Sequence, residues 1–128
     1  MLHPQIESCI DACHACALAC DRCAAACLHE ANVSAMANCI ALDIDCSEIC
    51  RVAMASMARG SMAAPAICEA CAKVCERCQE ECDKYQMDHC RACAEACRQC
   101  LVECRAMVER AEAARHHSRD SSVAGLRQ

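Results

Sequence analysis

The sequence predicts an all-α fold: an antiparallel up-down-up-down four-helix bundle with a cysteine-lined core. Three observations predict it. Cys9, Cys13, Cys16, Cys20, Cys23 and Cys27 step by four, three, four, three and four, and residues three and four apart share one face of an α-helix. Cys68, Cys71, Cys75, Cys78 and Cys82 continue that rhythm in a second run, and Cys90, Cys93, Cys97, Cys100 and Cys104 in a third. Each run is a thiol stripe where a leucine stripe would ordinarily lie. The connections between periodic segments are short, which makes sequential helices antiparallel neighbours.

The first helix is expected from about Gln5 to Glu30, with Pro4 suited to its first turn because the N–H that proline lacks has no partner there. The second is expected from Ser34, a candidate N-cap, to about Arg59, where Gly60-Ser61 marks a stop. Its stripe is sparser: Cys39, Cys46 and Cys50, filled out by Met36, Asp43, Met54 and Met57. The third begins near Pro65 and ends near Lys84. The fourth begins at Asp88, a candidate N-cap, and continues to about Arg115. Residues 1–115 thus read as one bundle domain. Residues 116–128 lose the pattern and read as a flexible or lightly docked tail.

Ile, Leu and Val together number 18 against 19 cysteines, and Phe and Trp are absent. So few large apolar residues would suggest disorder, but free cysteine behaves as a small, often buried hydrophobe. Counting it as apolar restores an ordinary core, and the alanines favour helix and close helix approach. Lys and Arg alternate with Asp and Glu at net charge −5, which leaves no basic patch for nucleic acid. No segment approaches membrane-spanning length, and residues 1–8 lack the basic and apolar regions of a secretory signal. A cytoplasmic protein with reduced thiols is therefore expected. No Ser-His-carboxylate constellation points to an enzyme.

Structural disulfides fit poorly with an odd cysteine count in a reducing compartment. Iron–sulfur ligation wants C-x2-C-x2-C-type runs on loops, which do not occur. Structural zinc favours paired knuckles on turns, and each zinc with four thiolates keeps two negative charges, costly when repeated in a dry core. Cu(I) is a soft ion suited to thiolates. Each thiol that exchanges its proton for one Cu(I) leaves the charge unchanged, so a buried array of many ions stays nearly neutral. Cys9 to Cys27 alone spans roughly 27 Å at 1.5 Å per residue, room for a column of ions and hence for storage or sequestration. Zinc–thiolate storage, a copper chaperone carrying one accessible ion, a thiol redox protein and a metal-free cysteine core stay open as alternatives. Asp43 on a buried stripe needs a partner, water or a metal.

The segments Cys9-Ile10-Asp11-Ala12-Cys13-His14-Ala15-Cys16, Cys39-Ile40-Ala41-Leu42-Asp43-Ile44-Asp45-Cys46-Ser47-Glu48-Ile49-Cys50 and Asp88-His89-Cys90-Arg91-Ala92-Cys93-Ala94-Glu95-Ala96-Cys97 resemble the bacterial copper storage proteins, most closely their cytosolic branch. The middle segment carries that family's Leu-Asp-x-x-Cys feature. The resemblance spans roughly residues 5–110. It implies homotetramers of bundles, several Cu(I) ions per protomer held by the nineteen thiolates, and entrance of metal at a histidine-bearing end. The matching histidine is His89. Further histidines of the family's loop between helices three and four are replaced here by Tyr85-Gln86-Met87.

The antiparallel order gathers Cys27, His29, Met36, Cys82, Tyr85, Met87, His89 and Cys90 at one end. It gathers Cys9, Met54, Met57, Met62, Cys68, Cys104 and Met107 at the other. Imidazole and thioether bind Cu(I) more weakly than thiolate, so His89, Met36 and Met87 are expected to pass metal inward, and a copper-donor or acceptor protein is a possible partner. Met54, Met57 and Met107 read as gap-filling core residues. His14 is expected beside the stripe on the surface, and His3, His116 and His117 in solvent.

Overall fold

A computed structural model describes residues 3–126, with side chains described through His117. Met1, Leu2, Arg127 and Gln128, which the readings of the leader and the tail include, lie outside the described residues. Four α-helices follow in order: α1 (Pro4–Cys27), α2 (Ala37–Ala58), α3 (Ala64–Cys82) and α4 (Asp88–Leu126), with a short 3-10 helix over Val33–Met36. Each packs against its sequence neighbours, and α4 closes on α1.

The sulfur contacts fix the directions. Cys9 meets Cys104, Cys16 meets Cys97, and Cys23 meets Cys90, so α1 and α4 run oppositely. Cys16 meets Cys46 and Cys27 meets Cys39 between α1 and α2. Cys39 meets Cys82, Cys46 meets Cys75, and Cys50 meets Cys71 between α2 and α3. The expected up-down-up-down bundle is the observed one, and the stripes are its core: all nineteen cysteines are fully buried.

The helix boundaries show the local chemistry. At the start of α1, His3 accepts a hydrogen bond from the Gln5 N–H through Nδ1, with Pro4 in the first turn. α1 ends at Cys27, ahead of the expected Glu30, which lies in the following turn. Ser34 is not the cap of α2. Its hydroxyl donates to Asn32 Oδ1 inside the 3-10 turn, and α2 starts three residues later. Such a turn competes with capping because serine side chains bond readily to nearby groups. α2 stops ahead of Gly60, whose φ of 65° is a left-handed conformation that a Cβ would strain. There the Ser61 N–H reaches the Ser56 carbonyl and the Gly60 N–H the Met57 carbonyl, the double bond that closes a Schellman stop.

The expected break after Arg115 is absent: α4 continues to Leu126. The apolar stripe does stop near Met107 and Val108. Beyond it, Ala111, Glu112, Ala113, Ala114 and Arg115 are strong helix formers with no proline among them. Propensity carries the helix as far as Arg115; residues 116–126, mostly His, Ser, Asp, Val and Gly, are weak helix formers, and nothing in their sequence explains the continuation to Leu126.

Candidate metal centre

Cysteine stands on the core face of every α-helix, so sulfur meets sulfur at 3.6–3.9 Å between α1 and α2, α2 and α3, α1 and α4, and α2 and α4. These are contacts of free thiols, far longer than the ~2.05 Å of a disulfide. Sets of four sulfurs lie mutually within 4.8 Å: Cys13, Cys71, Cys100 and Cys104; Cys16, Cys46, Cys50 and Cys75; Cys16, Cys20, Cys46 and Cys97; Cys20, Cys78, Cys93 and Cys97; and Cys23, Cys27, Cys39 and Cys90. Neighbouring sets share members. Cys16 and Cys46 belong to two of these sets, as do Cys20 and Cys97. An isolated structural zinc site takes four ligands of its own. A shared sulfur suits bridging between adjacent soft ions.

Hydrogen bonds split the thiols of the metal-free array: those that hold a shared proton are raised, with burial adding to the rise, and those that accept it are lowered. Cys100 raises the pKa of Cys13 and Cys75, and Cys16 raises that of Cys20 and Cys97. Cys16 itself is lowered, chiefly by its bonds with Cys100 and Cys20. At each S–H···S contact one sulfur holds the proton and the other accepts it. At the α1 C-terminus burial pushes Cys27 up and Cys90 up to about 11, the charge of Cys39 adding to both.

Asp43 is fully buried on α2 where the sulfur stripe lapses. Its Oδ1 lies 3.2 Å from the sulfurs of Cys78 and Cys93 and 3.6 Å from Cys82, and its Oδ2 lies 3.7 Å from Cys39. Thiols from three helices thus supply the partners that its burial demands. Burial first, and then the Cys93 charge, lifts its pKa to about 10, so Asp43 is a neutral acid at pH 7.

The two ends differ. At one end His89 Nδ1 lies 3.5 Å from Cys90 Sγ, 3.6 Å from Cys23 Sγ and 3.9 Å from Cys27 Sγ. Its Nε2 is 2.9 Å from Glu30 Oε1. Met36 is buried there, and Met87 and Tyr85 are partly buried against the core. The Tyr85 hydroxyl lies 3.0 Å from both the Ala35 carbonyl and Glu81 Oε2, tying the loop before α4 to the 3-10 turn. His29 is exposed. At the other end Met57, Met107, Ala53 and Ala64 are buried, and Ile6 and Met54 pack against them. Met62, expected in that group, is 99% exposed on the turn after Gly60. His3, His14, His116 and His117 are exposed as expected.

The sequence reading brought the nineteen cysteines, Asp43, His89, Met36 and Met87 to one interior or its rim, and the fold places them there. It missed Glu30. No spacing could have signalled that residue, because it is 59 positions from His89 and meets it only after α1 and α4 pair.

Fold and interior together define a class: a helical bundle whose core is a continuous field of reduced thiols, built to take up soft metal ions. The copper storage protein family matches residues 2–109, and the chain belongs to that family. Among solved structures it is similar to the Cu(I)-bound copper storage protein BsCsp3, at 42% identity and a TM-score of 0.78, covering 81% of this chain and 98% of that one. It is also similar to a cytosolic copper storage protein from Streptomyces lividans carrying five coppers, at 38% identity and a TM-score of 0.80, covering 82% and 92%. The apo form of copper storage protein 3 from Bacillus subtilis matches at 42% identity and a TM-score of 0.74, covering 80% and 97%. No curated protein matches the chain.

Proposed function

We propose that this protein stores Cu(I) in the cytoplasm, holding many ions per protomer on the thiolates that line its bundle. The observation that carries the reading is the overlap of the four-sulfur groups, since shared sulfurs suit a chain of bridged ions better than a few isolated sites. Each uptake step exchanges one thiol proton for one Cu(I), so loading leaves the buried charge unchanged while releasing about one proton per ion. The nineteen cysteines are the principal ligands. His89, Asp43, Met36 and Met87 are auxiliary ligands, and the His89 end is the entrance. Support for that direction is chemical: the imidazole of His89 faces three thiols at that end, whereas buried alanines and methionines line the other.

The storage unit is residues 1–115, and residues 116–128 take no part in holding metal. No helix among the described residues is long and apolar enough to cross a membrane. The likeness to a cytosolic relative from Streptomyces lividans supports the cytoplasmic placement. Association into homotetramers is supported by the outer face of α2 and α3, where Val52 is exposed beside Ile49, Ile67 and Val74. A copper-donor or acceptor protein would meet the His89 end. The role is that of a reservoir and not of a catalyst.

One anaerobic experiment tests the reading: Cu(I) is titrated into fully reduced protein against a competing chelator, with released protons counted in parallel. Saturation near one ion per cysteine, with about one proton released per ion, is the expected result. Saturation at one or two ions would replace storage by a chaperone role, and preference for Zn(II) would overturn it.

A further inference from the structure

His89 faces two ways. Its Nδ1 is turned inward to Cys90, Cys23 and Cys27 at 3.5, 3.6 and 3.9 Å, and its Nε2 is turned outward to Glu30 at 2.9 Å. A neutral imidazole carries one proton, so one nitrogen donates and the other accepts. An ionised carboxylate only accepts. The contact with Glu30 therefore places the proton on Nε2 and leaves the Nδ1 lone pair directed at the thiols. A ring with the opposite tautomer would present an N–H to them and could not ligate.

We infer that Glu30 is the positioning residue that sets the tautomer and orientation of His89, so that Nδ1 is ready for the first metal ion to arrive. This rests on the proposal that His89 is an entrance ligand. The fold places Glu30 for the task. α1 ends at Cys27, the Glu30 N–H bonds back to the Cys27 carbonyl at 3.2 Å, and the chain turns over the start of α4. The side chains of His89 and Glu30 are 21% and 34% exposed, so the pair sits at the boundary between solvent and the thiol field. When Nδ1 binds a cation the imidazole gains positive character, and a carboxylate on the opposite nitrogen offsets it. Partners of this kind behind a ligating histidine typically contribute about 10–100-fold in metal affinity.

The test uses the full-length, reduced protein and the variants Glu30→Ala, Glu30→Gln and His89→Ala, alone and combined. In metal-free protein at pH 8, nitrogen-15 NMR of the His89 ring reads the tautomer. Wild type should show a protonated Nε2 and a bare Nδ1. Glu30→Ala should show a tautomer mixture, and Glu30→Gln, whose amide oxygen can still accept, should keep the wild-type state. Chelator competition should show first-ion affinity falling about 10-fold or more in Glu30→Ala, with total capacity unchanged. Glu30→Ala should have no further effect in the His89→Ala background. A wild-type tautomer in Glu30→Ala, first-ion affinity within twofold of wild type, or an equal loss with His89 absent would each overturn the inference. A low capacity in wild type would instead defeat the storage reading. The tautomer measurement needs no metal and decides the role of Glu30 in either case.

Discussion

Asp43→Asn offers a direct reading of the proton balance inside the metal-free bundle. Asp43 is enclosed by Cys39, Cys78, Cys82 and Cys93, and its folded pKa is raised to about 10, against about 3.9 in an unfolded chain. Below pH 4 both states hold the proton and the full stability is present. Between pH 4 and 10 only the folded state holds it, so stability falls as pH rises, by about 1.4 kcal/mol per pH unit. From pH 5 to pH 8 this one carboxyl should remove about 4 kcal/mol of apo stability. Asparagine keeps the shape of the side chain and abolishes its titration. Urea unfolding followed by far-ultraviolet circular dichroism, under reductant and without metal, gives the unfolding free energy at each pH. The difference between wild type and Asp43→Asn should slope by about 4 kcal/mol across that interval. Parallel curves would mean that Asp43 is already ionised in the folded protein, and the account of Asp43 as a buried neutral acid would fail.

Metal and mouth variants give two further outcomes. Cu(I) bound by the folded state alone stabilises it by mass action, each site adding about 2.7 kcal/mol at a free concentration of 100 times its Kd. Several filled sites should therefore raise Tm by more than about 20 °C, and equal melting of apo and loaded protein in scanning calorimetry would contradict the binding model. Replacing His89 and Met87 by alanine should slow Cu(I) uptake in stopped-flow absorbance while leaving capacity nearly unchanged, and a large loss of capacity would sink the assignment of that end as the entrance.

The bundle was legible because cysteine repeats at helical spacing on three helices, and a buried stripe has few ways to pack. The thinner stripe of α2 was legible too, since Asp43 interrupts it at the position where the fold surrounds a carboxyl with thiols. Ser34 misled, because a serine before an apolar run has the same local sequence whether it caps an α-helix or sits in a 3-10 turn. The length of α4 was hidden for a different reason: periodicity reports packing, and residues 116–126 carry neither a cysteine stripe nor a run of strong helix formers. The Glu30–His89 contact is a product of tertiary pairing between one helix end and another's start, with no sequence neighbourhood to reveal it.

Tyr85, which ties the loop before α4 to the 3-10 turn, is the only aromatic side chain among Phe, Tyr and Trp in the protein. It packs against the core at the His89 end. The protein thus has a single intrinsic fluorophore, placed at one pole of the thiol field, and an otherwise clear near-ultraviolet window. Sulfur-to-copper charge-transfer bands there overlap only the weak absorption of this one ring and report total occupancy. Tyrosine emission reports the nearest positions alone. Recorded together, the two signals separate filling of the whole column from filling of its outermost layer, with no label attached.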